Sequence, residues 1–171
     1  FKLVTGSQGP LGPCSELYQV PMFEQKADAP ELGVTTSDGG YYKVDPSYSY
    51  EAMRGKGPEI IFNYKHVDPT SVDKFMDNVE ENILNQLVLN AYQEEARKFG
   101  TDELLKSVAK YELGVETRLK TEFNGKFFNL LTLRSGLRPP ESMIKAIESR
   151  NTTVQRAEQE RNELEISRIQ L

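Results

Sequence analysis

Residue types that support common kinds of chemistry are scarce in this sequence of 171 residues. It contains one cysteine, one histidine and no tryptophan. A single cysteine excludes an internal disulfide framework. One histidine with one cysteine also provides too few ligands for a structural zinc site or a His-rich catalytic metal site. The sequence therefore predicts no metal and no other cofactor.

Long apolar runs and an excess of positive charge are also missing. No window approaches the roughly 18 to 20 consecutive apolar residues that a membrane-spanning helix requires. The sequence has 21 Lys and Arg against 26 Asp and Glu, a net charge of −5. Binding to a phosphate backbone relies on a basic surface, so we expect no nucleic-acid partner. The sequence begins with Phe1 rather than Met, so it leaves open whether a membrane anchor lies upstream of this residue.

The candidate catalytic residues stand in unrelated contexts. His66 follows Tyr64 in a predicted strand, where a histidine is more often packed or at the surface than a general base. Cys14 lies among glycines and prolines without a nearby histidine, which is typical of a loop cysteine. Paired acids such as Glu80 and Glu81 diverge on a predicted helix. Since catalysis needs convergent groups, the sequence predicts no catalytic residue and no enzyme.

The first fifty residues carry the signals of short strands joined by turns. Apolar pieces such as residues 17–23 lie between glycines and prolines. Residues 32–36 and residues 42–50 each alternate between two faces. Between them, Asp38, Gly39 and Gly40 supply the positive backbone angles of a tight turn, so we predict a hairpin with these three residues as its structural turn.

The predicted second strand of this hairpin is rich in tyrosine. Its alternation places Tyr42, Val44, Tyr48 and Tyr50 on one face and Lys43, Asp45, Ser47 and Ser49 on the other. Aromatic residues at a period of two are typical of ordinary sheet packing. Residues 55–58 then predict an exposed hairpin tip, and residues 59–67 predict a third strand rich in branched and aromatic side chains.

Two amphipathic helices follow. Asp68 and Pro69 have the residue types of a helix N-terminus. Thr101 is predicted to cap the second helix, which Gly114 interrupts, and residues 126–134 predict a returning strand. The predicted buried residues are Val72, Phe75, Met76, Val79, Ile83, Leu87 and Ala91 in the first helix, and Leu104, Leu105, Val108, Tyr111, Val115, Leu119 and Phe123 in the second.

Residues 141–171 contain no glycine or proline and predict one long, charged helix. A 4-3 repeat places nine positions along one face of this helix. Apolar residues fill six of these positions and arginines fill the other three. Three arginines are too many for a stable two-stranded coiled coil, but a helix beside several neighbours tolerates them when glutamates of another copy pair with them. Because such a helix is stable only when something packs on it, we predict an oligomer interface. Its candidate residues are Ile147, Arg150, Val154, Ala157, Arg161, Leu164 and Arg168.

Three stretches together resemble the SPFH or band 7 family, which includes stomatins, prohibitins and flotillins. Residues 34–50 (VTTSDGGYYKVDPSYSY) look like its V-T-x-D-G hairpin, and residues 101–119 (TDELLKSVAKYELGVETRL) are similar to its helix that begins with Thr-x-Glu-Leu-Leu. Residues 138–161 (RPPESMIKAIESRNTTVQRAEQER) are similar to the Pro-Pro-Glu, Ala-Ile and Gln-x-Ala-Glu run before its long helix. Residues 124–128 depart from the family's Gly-Ile turn, and residues 55–58 look like an insertion.

The resemblance implies an α+β fold. We expect an SPFH-like domain with a strand-rich N-terminal half, helices packed on the sheet and a protruding C-terminal helix. The expected organisation is a turn-rich segment at residues 1–18, an SPFH-like domain at residues 19–138, and the start of a long extension helix for oligomerisation at residues 139–171.

The resemblance also implies a non-enzymatic, membrane-associated scaffold. Such a protein homo-oligomerises into a ring or higher assembly and organises membrane microdomains or partner membrane proteins. Its membrane contact is peripheral or passes through an anchor upstream of Phe1. The alternative is a prohibitin-like regulator or chaperone of a membrane protease or channel. A third interpretation is an intracellular assembly protein without membrane contact.

Overall fold

The computed structural model describes Pro10, residues 12–64 and residues 74–169. The chain divides into two compact units, Phe1–Leu137 and Arg138–Leu171. The first unit contains the strands β1 (Gln25–Asp28), β2 (Leu32–Thr35), β3 (Tyr41–Val44), β4 (Ser47–Ala52) and β5 (Phe128–Arg134), and the helices α1 (Gly57–Tyr64), α2 (Phe75–Val79), α3 (Asn85–Ala96), α4 (Thr101–Lys106) and α5 (Val108–Gly125). The second contains α6 (Glu141–Ile169). The expected α+β class is therefore confirmed.

The β2–β3 hairpin has the predicted position. The two strands pair antiparallel, with Val34 opposite Tyr42 and Leu32 opposite Val44. Val34, Tyr42 and Val44 are buried, as their alternation predicts.

The predicted strand at residues 42–50 is in fact two strands in two different sheets. β3 ends at Val44, and β4 begins after Pro46, whose nitrogen carries no hydrogen for a sheet hydrogen bond. The Pro46 carbonyl instead accepts a hydrogen bond of 2.9 Å from the Ala29 N–H. β4 becomes the central strand of an antiparallel sheet with the order β1-β4-β5. Tyr48 and Tyr50 are buried as predicted, but Ser49 is buried too.

The predictions for residues 55–58 and 59–67 are wrong over the described positions, because residues 57–64 form α1. Gly57, Ile60 and Tyr64 are its buried residues, a helical spacing. Pro58 and Glu59 lie in the first helical turn, where the missing N–H of proline and a negative charge are both favourable. Residues 55–58 therefore lead from a strand into a helix. Residues 17–23 lie in the part of the chain predicted to form short strands and loops, and they form no regular element.

The first long helix contains a π-helical segment, Glu80–Leu84, between α2 and α3. The residues at both of its junctions keep helical backbone angles, so the helix is continuous. A π turn takes one residue more than an α turn. The buried face consequently steps from Val79 to Leu84 and then to Val88. Met76, Ile83 and Leu87, predicted to be buried, are only half-buried. The predicted start at Asp68 and Pro69 lies outside the described residues.

The second long helix is divided near its start. Gly100 rather than Thr101 is the N-cap of α4, and Ser107, with φ −124° and ψ 38°, separates α4 from α5. Of the residues predicted to be buried here, Leu104, Tyr111, Val115, Leu119 and Phe123 are buried, whereas Leu105 and Val108 are only half-buried. The predicted returning strand is β5, which pairs antiparallel with β4.

Aromatic rings pack α5 against the three-stranded sheet and pack two neighbouring strands of this sheet against each other. The ring of Tyr48 meets Phe123 of α5 edge to face, at a centroid distance of 5.8 Å. Tyr50 meets Phe128 in the same way at 5.6 Å. All four residues are buried. The predicted packing role of these two tyrosines is thus confirmed.

The second unit contains one uninterrupted helix, Glu141–Ile169. α6 has 29 residues, about 44 Å at 1.5 Å per residue. None of these residues is buried.

Candidate functional site

The predicted interface residues share one face of α6. Ile147, Val154, Arg161 and Arg168 are spaced by seven residues, which returns to nearly the same direction on a helix. The apolar members are open to solvent: Ile147 is 37% exposed, Val154 53% and Leu164 67%. We call this face the seam, and it consists of the seven residues Ile147, Arg150, Val154, Ala157, Arg161, Leu164 and Arg168.

The charges on the seam are not neutralised within α6. Among its 29 residues, all of which the structure describes, no ion pair joins Arg150, Arg161 or Arg168 to a carboxylate. Glu158 and Glu165 each precede an arginine by three residues but do not pair with it. The guanidinium groups are therefore available to carboxylates of another chain.

The seam does not hold all the apolar side chains of α6. Ile166 is 57% exposed and lies about 120° around the helix from Val154. Ile166 falls outside the 4-3 repeat, so the spacing in the sequence provided no signal for it. A helix with apolar groups on two faces suits contact with neighbours on two sides.

The structural turn of the hairpin lies against the start of α4. Gly39 has φ +84°, which favours glycine. Asp38 Oδ1 accepts hydrogen bonds from the hydroxyls of Thr101 at 2.6 Å and Thr36 at 2.7 Å. A Cβ on Gly40 would collide with the hydroxyl of Thr101. These contacts fix the hairpin on the helix.

The hydrogen bonds also act on the charge of Asp38. The hydroxyl of Thr101, then the hydroxyl of Thr36 and the backbone N–H of Thr101, hold the pKa of this carboxyl well below its ordinary value of 3.8. Asp38 is therefore ionised at physiological pH and is bound to the first turn of α4, where negative charge is favourable. The contacts of Asp38 are those of a turn residue bound to a helix, and a structural role for this turn stays a prediction.

A second charged cluster joins α3 to α5 and was missed by the sequence analysis. Glu95 is buried and pairs with Lys98 at 2.6 Å and with Arg118 at 3.8 Å. Arg118 also pairs with Glu94 and Glu122. A Cβ on Gly114 would approach Glu95 Oε2 to 2.8 Å, so this glycine gives the carboxylate its space. The cluster borders an open groove of about 890 Å³. Because Lys98 and Arg118 pair with the buried carboxylate, the cluster contributes to the packing of α3 against α5.

Two residues considered as catalytic candidates in the sequence remain, Cys14 and His66. Cys14 is exposed, and His66 lies outside the described residues. Over Pro10, residues 12–64 and residues 74–169, no group of three or more His, Cys, Asp and Glu side chains is arranged to hold a metal ion. In the same part of the chain, no helix has the length and apolar character needed to cross a membrane.

The chain matches one known protein family over nearly its whole length. The sequence profile described as "SPFH domain / Band 7 family" matches residues 4–168. No curated protein matches the chain in a sequence comparison. The family match covers both the strands of the first unit and most of α6.

Proposed function

Because the chain belongs to the SPFH domain / Band 7 family, which is in general a family of membrane-associated, non-enzymatic scaffolds, we propose that it is a scaffold that homo-oligomerises through the seam of α6. The assembly presents many copies of the first unit at a membrane, where it organises microdomains or holds partner membrane proteins.

The observation that carries the proposal is the exposure of α6. A single charged helix gains little from its own backbone hydrogen bonds and needs an apolar partner. Val154 and Leu164 expose more than half of their surface on the seam. A second copy of the same helix supplies both an apolar partner and acceptors for the seam arginines, because α6 itself carries Glu158, Glu160, Glu163 and Glu165.

The mass of the assembly tests this proposal. We would measure light scattering of the full chain, of Val154→Asp on the seam and of Gln155→Asp as the matched control. The two variants introduce the same charge at adjacent exposed positions, but residue 155 lies off the seam. We expect multimers for the parent and the control and smaller species for Val154→Asp. Rising salt should weaken the assembly without abolishing it, since salt screens the ion pairs but not the apolar contacts.

Two results would contradict the proposal. A monomeric parent at every concentration would remove the homo-oligomer. Equal masses for the two variants at a concentration where the parent is multimeric would place the interface away from the seam.

A further inference from the structure

The end of α5 contains a pair of residues with a specific chemical reactivity, Asn124 and Gly125. Asn124 is the only asparagine of the sequence that precedes a glycine. The backbone nitrogen of the residue after an asparagine can attack the carbon of the side-chain amide. A glycine hinders this attack least because it has no Cβ. Every other asparagine precedes a residue with a side chain, so this pair differs from them in its chemistry.

The structure leaves this pair of residues accessible. Asn124 and Gly125 are both exposed. A Cβ on Gly125 would meet no atom within 4 Å, so no neighbouring group crowds this residue on that side. The side-chain amide of Asn124 makes no hydrogen bond with another described residue. The amide is therefore free to turn toward the backbone nitrogen that follows it.

The pair also lies where the helix ends. Gly125 is the last residue of α5, and Lys126 after it has φ −105° and ψ 10°. The N–H of Lys126 donates a hydrogen bond of 2.9 Å to the Phe123 carbonyl, and the N–H of Phe127 donates one of 3.2 Å to the Asn124 carbonyl. These bonds span three residues, as in the tight last turn of a helix. The attack requires Asn124 to leave its helical backbone angles, and a terminal turn opens at a lower cost than a helix interior.

The turn of the β2–β3 hairpin shows the opposite case. Asp38 also precedes a glycine, but its carboxylate accepts hydrogen bonds from Thr36 and Thr101. The N–H of Gly39 donates a hydrogen bond of 3.2 Å to the Thr36 carbonyl. Both groups that would have to react are thus engaged, and an ionised carboxylate is a poor target for a nucleophile. Of the two pairs, only the one at the end of α5 has both a reactive amide and open surroundings.

We propose that Asn124 is a site of spontaneous deamidation. The Gly125 nitrogen forms a bond to Cγ of Asn124, the bond from Cγ to Nδ2 breaks, and ammonia leaves with the proton of the Gly125 nitrogen. The product is a five-membered succinimide ring, which water then opens. Addition of water at Cγ gives aspartate. Addition at the main-chain carbonyl carbon gives isoaspartate, in which the main chain runs through the former side chain.

The modification acts on the junction between α5 and β5. Both products add a negative charge at the C-terminus of α5, where the helix dipole disfavours it. Isoaspartate also lengthens the main chain by one carbon just before β5. The Phe127 carbonyl there accepts a hydrogen bond of 2.9 Å from the Met53 N–H, and the next residue, Phe128, is buried opposite Ala52 of β4. Deamidation therefore loosens the pairing of β5 with β4 at this end.

Incubation of the folded full chain at mildly alkaline pH tests the proposal. Peptide mass spectrometry measures the mass gained when the amide nitrogen is replaced by oxygen, and chromatography separates aspartate from isoaspartate. Asn82 and Asn90 are internal controls, because both are exposed and precede residues with a side chain. Gly125→Ala adds a Cβ to the attacking residue at a position that has room for it. Circular dichroism verifies that the parent and this variant stay folded during the incubation.

We expect Asn124 to convert at least about tenfold faster than Asn82 or Asn90, and we expect Gly125→Ala to slow its conversion at least about tenfold. Equal rates at the three asparagines would overturn the proposal, and so would an unchanged rate in Gly125→Ala. Urea denaturation of the incubated parent should show a lower midpoint than that of the fresh parent, with Asn124→Asp between them because it carries only the added charge. An unchanged midpoint after full conversion would overturn the loosening of β5.

Discussion

The carboxylate of Asp38 accepts hydrogen bonds from the backbone N–H of Thr101, with 3.0 Å to each carboxylate oxygen, across 63 residues of sequence. Asp38 lies in the first stretch that resembles the SPFH family, and Thr101 begins the second. The contact therefore joins two sequence signatures into one structural unit, in which the turn of a hairpin binds the first residue of a helix. The Tyr42 hydroxyl adds a hydrogen bond of 2.7 Å to the Thr101 carbonyl.

Removing this carboxylate should destabilise the fold in a pH-dependent way. A carboxyl with a lowered pKa contributes stability above its ordinary value of 3.8, and this stability is lost as the pH falls toward the folded-state pKa. We expect Asp38→Ala to lower the urea midpoint at pH 7 and to flatten the loss of stability below about pH 4. Asp102→Ala removes a neighbouring exposed carboxylate and is the control. An Asp38 variant with the midpoint and acid profile of the parent would contradict a role for this contact.

Gly39 should tolerate a side chain poorly because of its own backbone angle and not because of neighbouring atoms. Its φ is +84°, yet an added Cβ would meet no atom within 4 Å. Gly39→Val should therefore cost roughly 1 to 2 kcal/mol through strain alone. Gly125→Ala is the matched control, because that position is equally open and has no positive φ. Urea denaturation should show a loss for the first variant and none for the second, and equal midpoints would argue against strain at the turn.

Glu80 should make the stability of the fold depend on pH in the direction opposite to that expected for Asp38. Burial raises the pKa of Glu80 above its ordinary value of 4.5, and the nearby carboxylates Asp77, Glu81 and Asp28 add to this. Its contribution to stability is thus present below pH 4.5 and is lost as the pH rises through the folded-state pKa. Glu80→Gln should raise the free energy of unfolding near neutral pH and remove this dependence. A variant less stable than the parent at pH 7 would contradict the expected cost of the buried charge.

The hydrogen bond that faces Glu80 can be tested separately. The Tyr50 hydroxyl donates a hydrogen bond of 2.9 Å to Glu80 Oε2. This bond lowers the pKa of Glu80 and so offsets part of the rise that burial causes. Tyr50→Phe should destabilise the fold by about 1 to 2 kcal/mol, because a half-buried carboxylate loses a donor. Tyr41→Phe, at a ring that is 52% exposed, should change stability by less than about 0.5 kcal/mol. The comparison is made by urea denaturation at pH 7, and equal effects of both variants would contradict the assigned bond.

The parts of the fold that were predictable carry their signals locally. The β2–β3 hairpin has its turn residues and its alternation within a few positions, and the buried face of α5 repeats without interruption. Strand β1 carries no such signal: in Gln25–Asp28 only Ala27 is buried, and the strand exists because it pairs with β4. In α1, the branched residues Ile60 and Ile61 favoured a strand, but the helix-start signal of Pro58 and Glu59 prevailed.

The candidate sites also differ in whether their signal is local in the sequence. The seam follows from a repeat within one helix, and the turn at Asp38 follows from three adjacent residues. In contrast, the contact of Asp38 with Thr101 and the ion pair of Glu95 with Arg118 of α5 depend on contacts between distant segments. No spacing in a single sequence encodes such contacts, so these parts required the structure.

The π turn could not be predicted because the apolar residues fit two alternative helical repeats, which we call the first and the second frame. Ile83 and Leu87 continue the α-helical repeat from Val79, while Leu84 and Val88 continue it one position later. Two tyrosines of β4 accompany the second frame: the Tyr48 hydroxyl donates to Asn85 at 2.7 Å, and Tyr50 bonds Glu80. Residues five apart on an α-helix differ in direction by about 140°, but a π turn brings them to the same face.

This arrangement predicts that the chain tolerates a deletion at one site and not at another. Removing exposed Asn82 from the π segment converts it to a regular α turn and leaves Val79, Leu84 and Val88 on one continuous face. Removing exposed Asn90 from α3 instead rotates everything after it by about 100° and drives Tyr92 and Glu95 away from the core.

We expect the Asn82 deletion to melt cooperatively within a few degrees of the parent. The Asn90 deletion should lose its cooperative transition, because several large buried side chains lose their contacts at once. Thermal melts followed by circular dichroism distinguish the two, and since each variant lacks one exposed asparagine from the same helix, chain length and composition are matched. If both deletions unfold the protein equally, the extra residue of the π turn is not what sets the buried face.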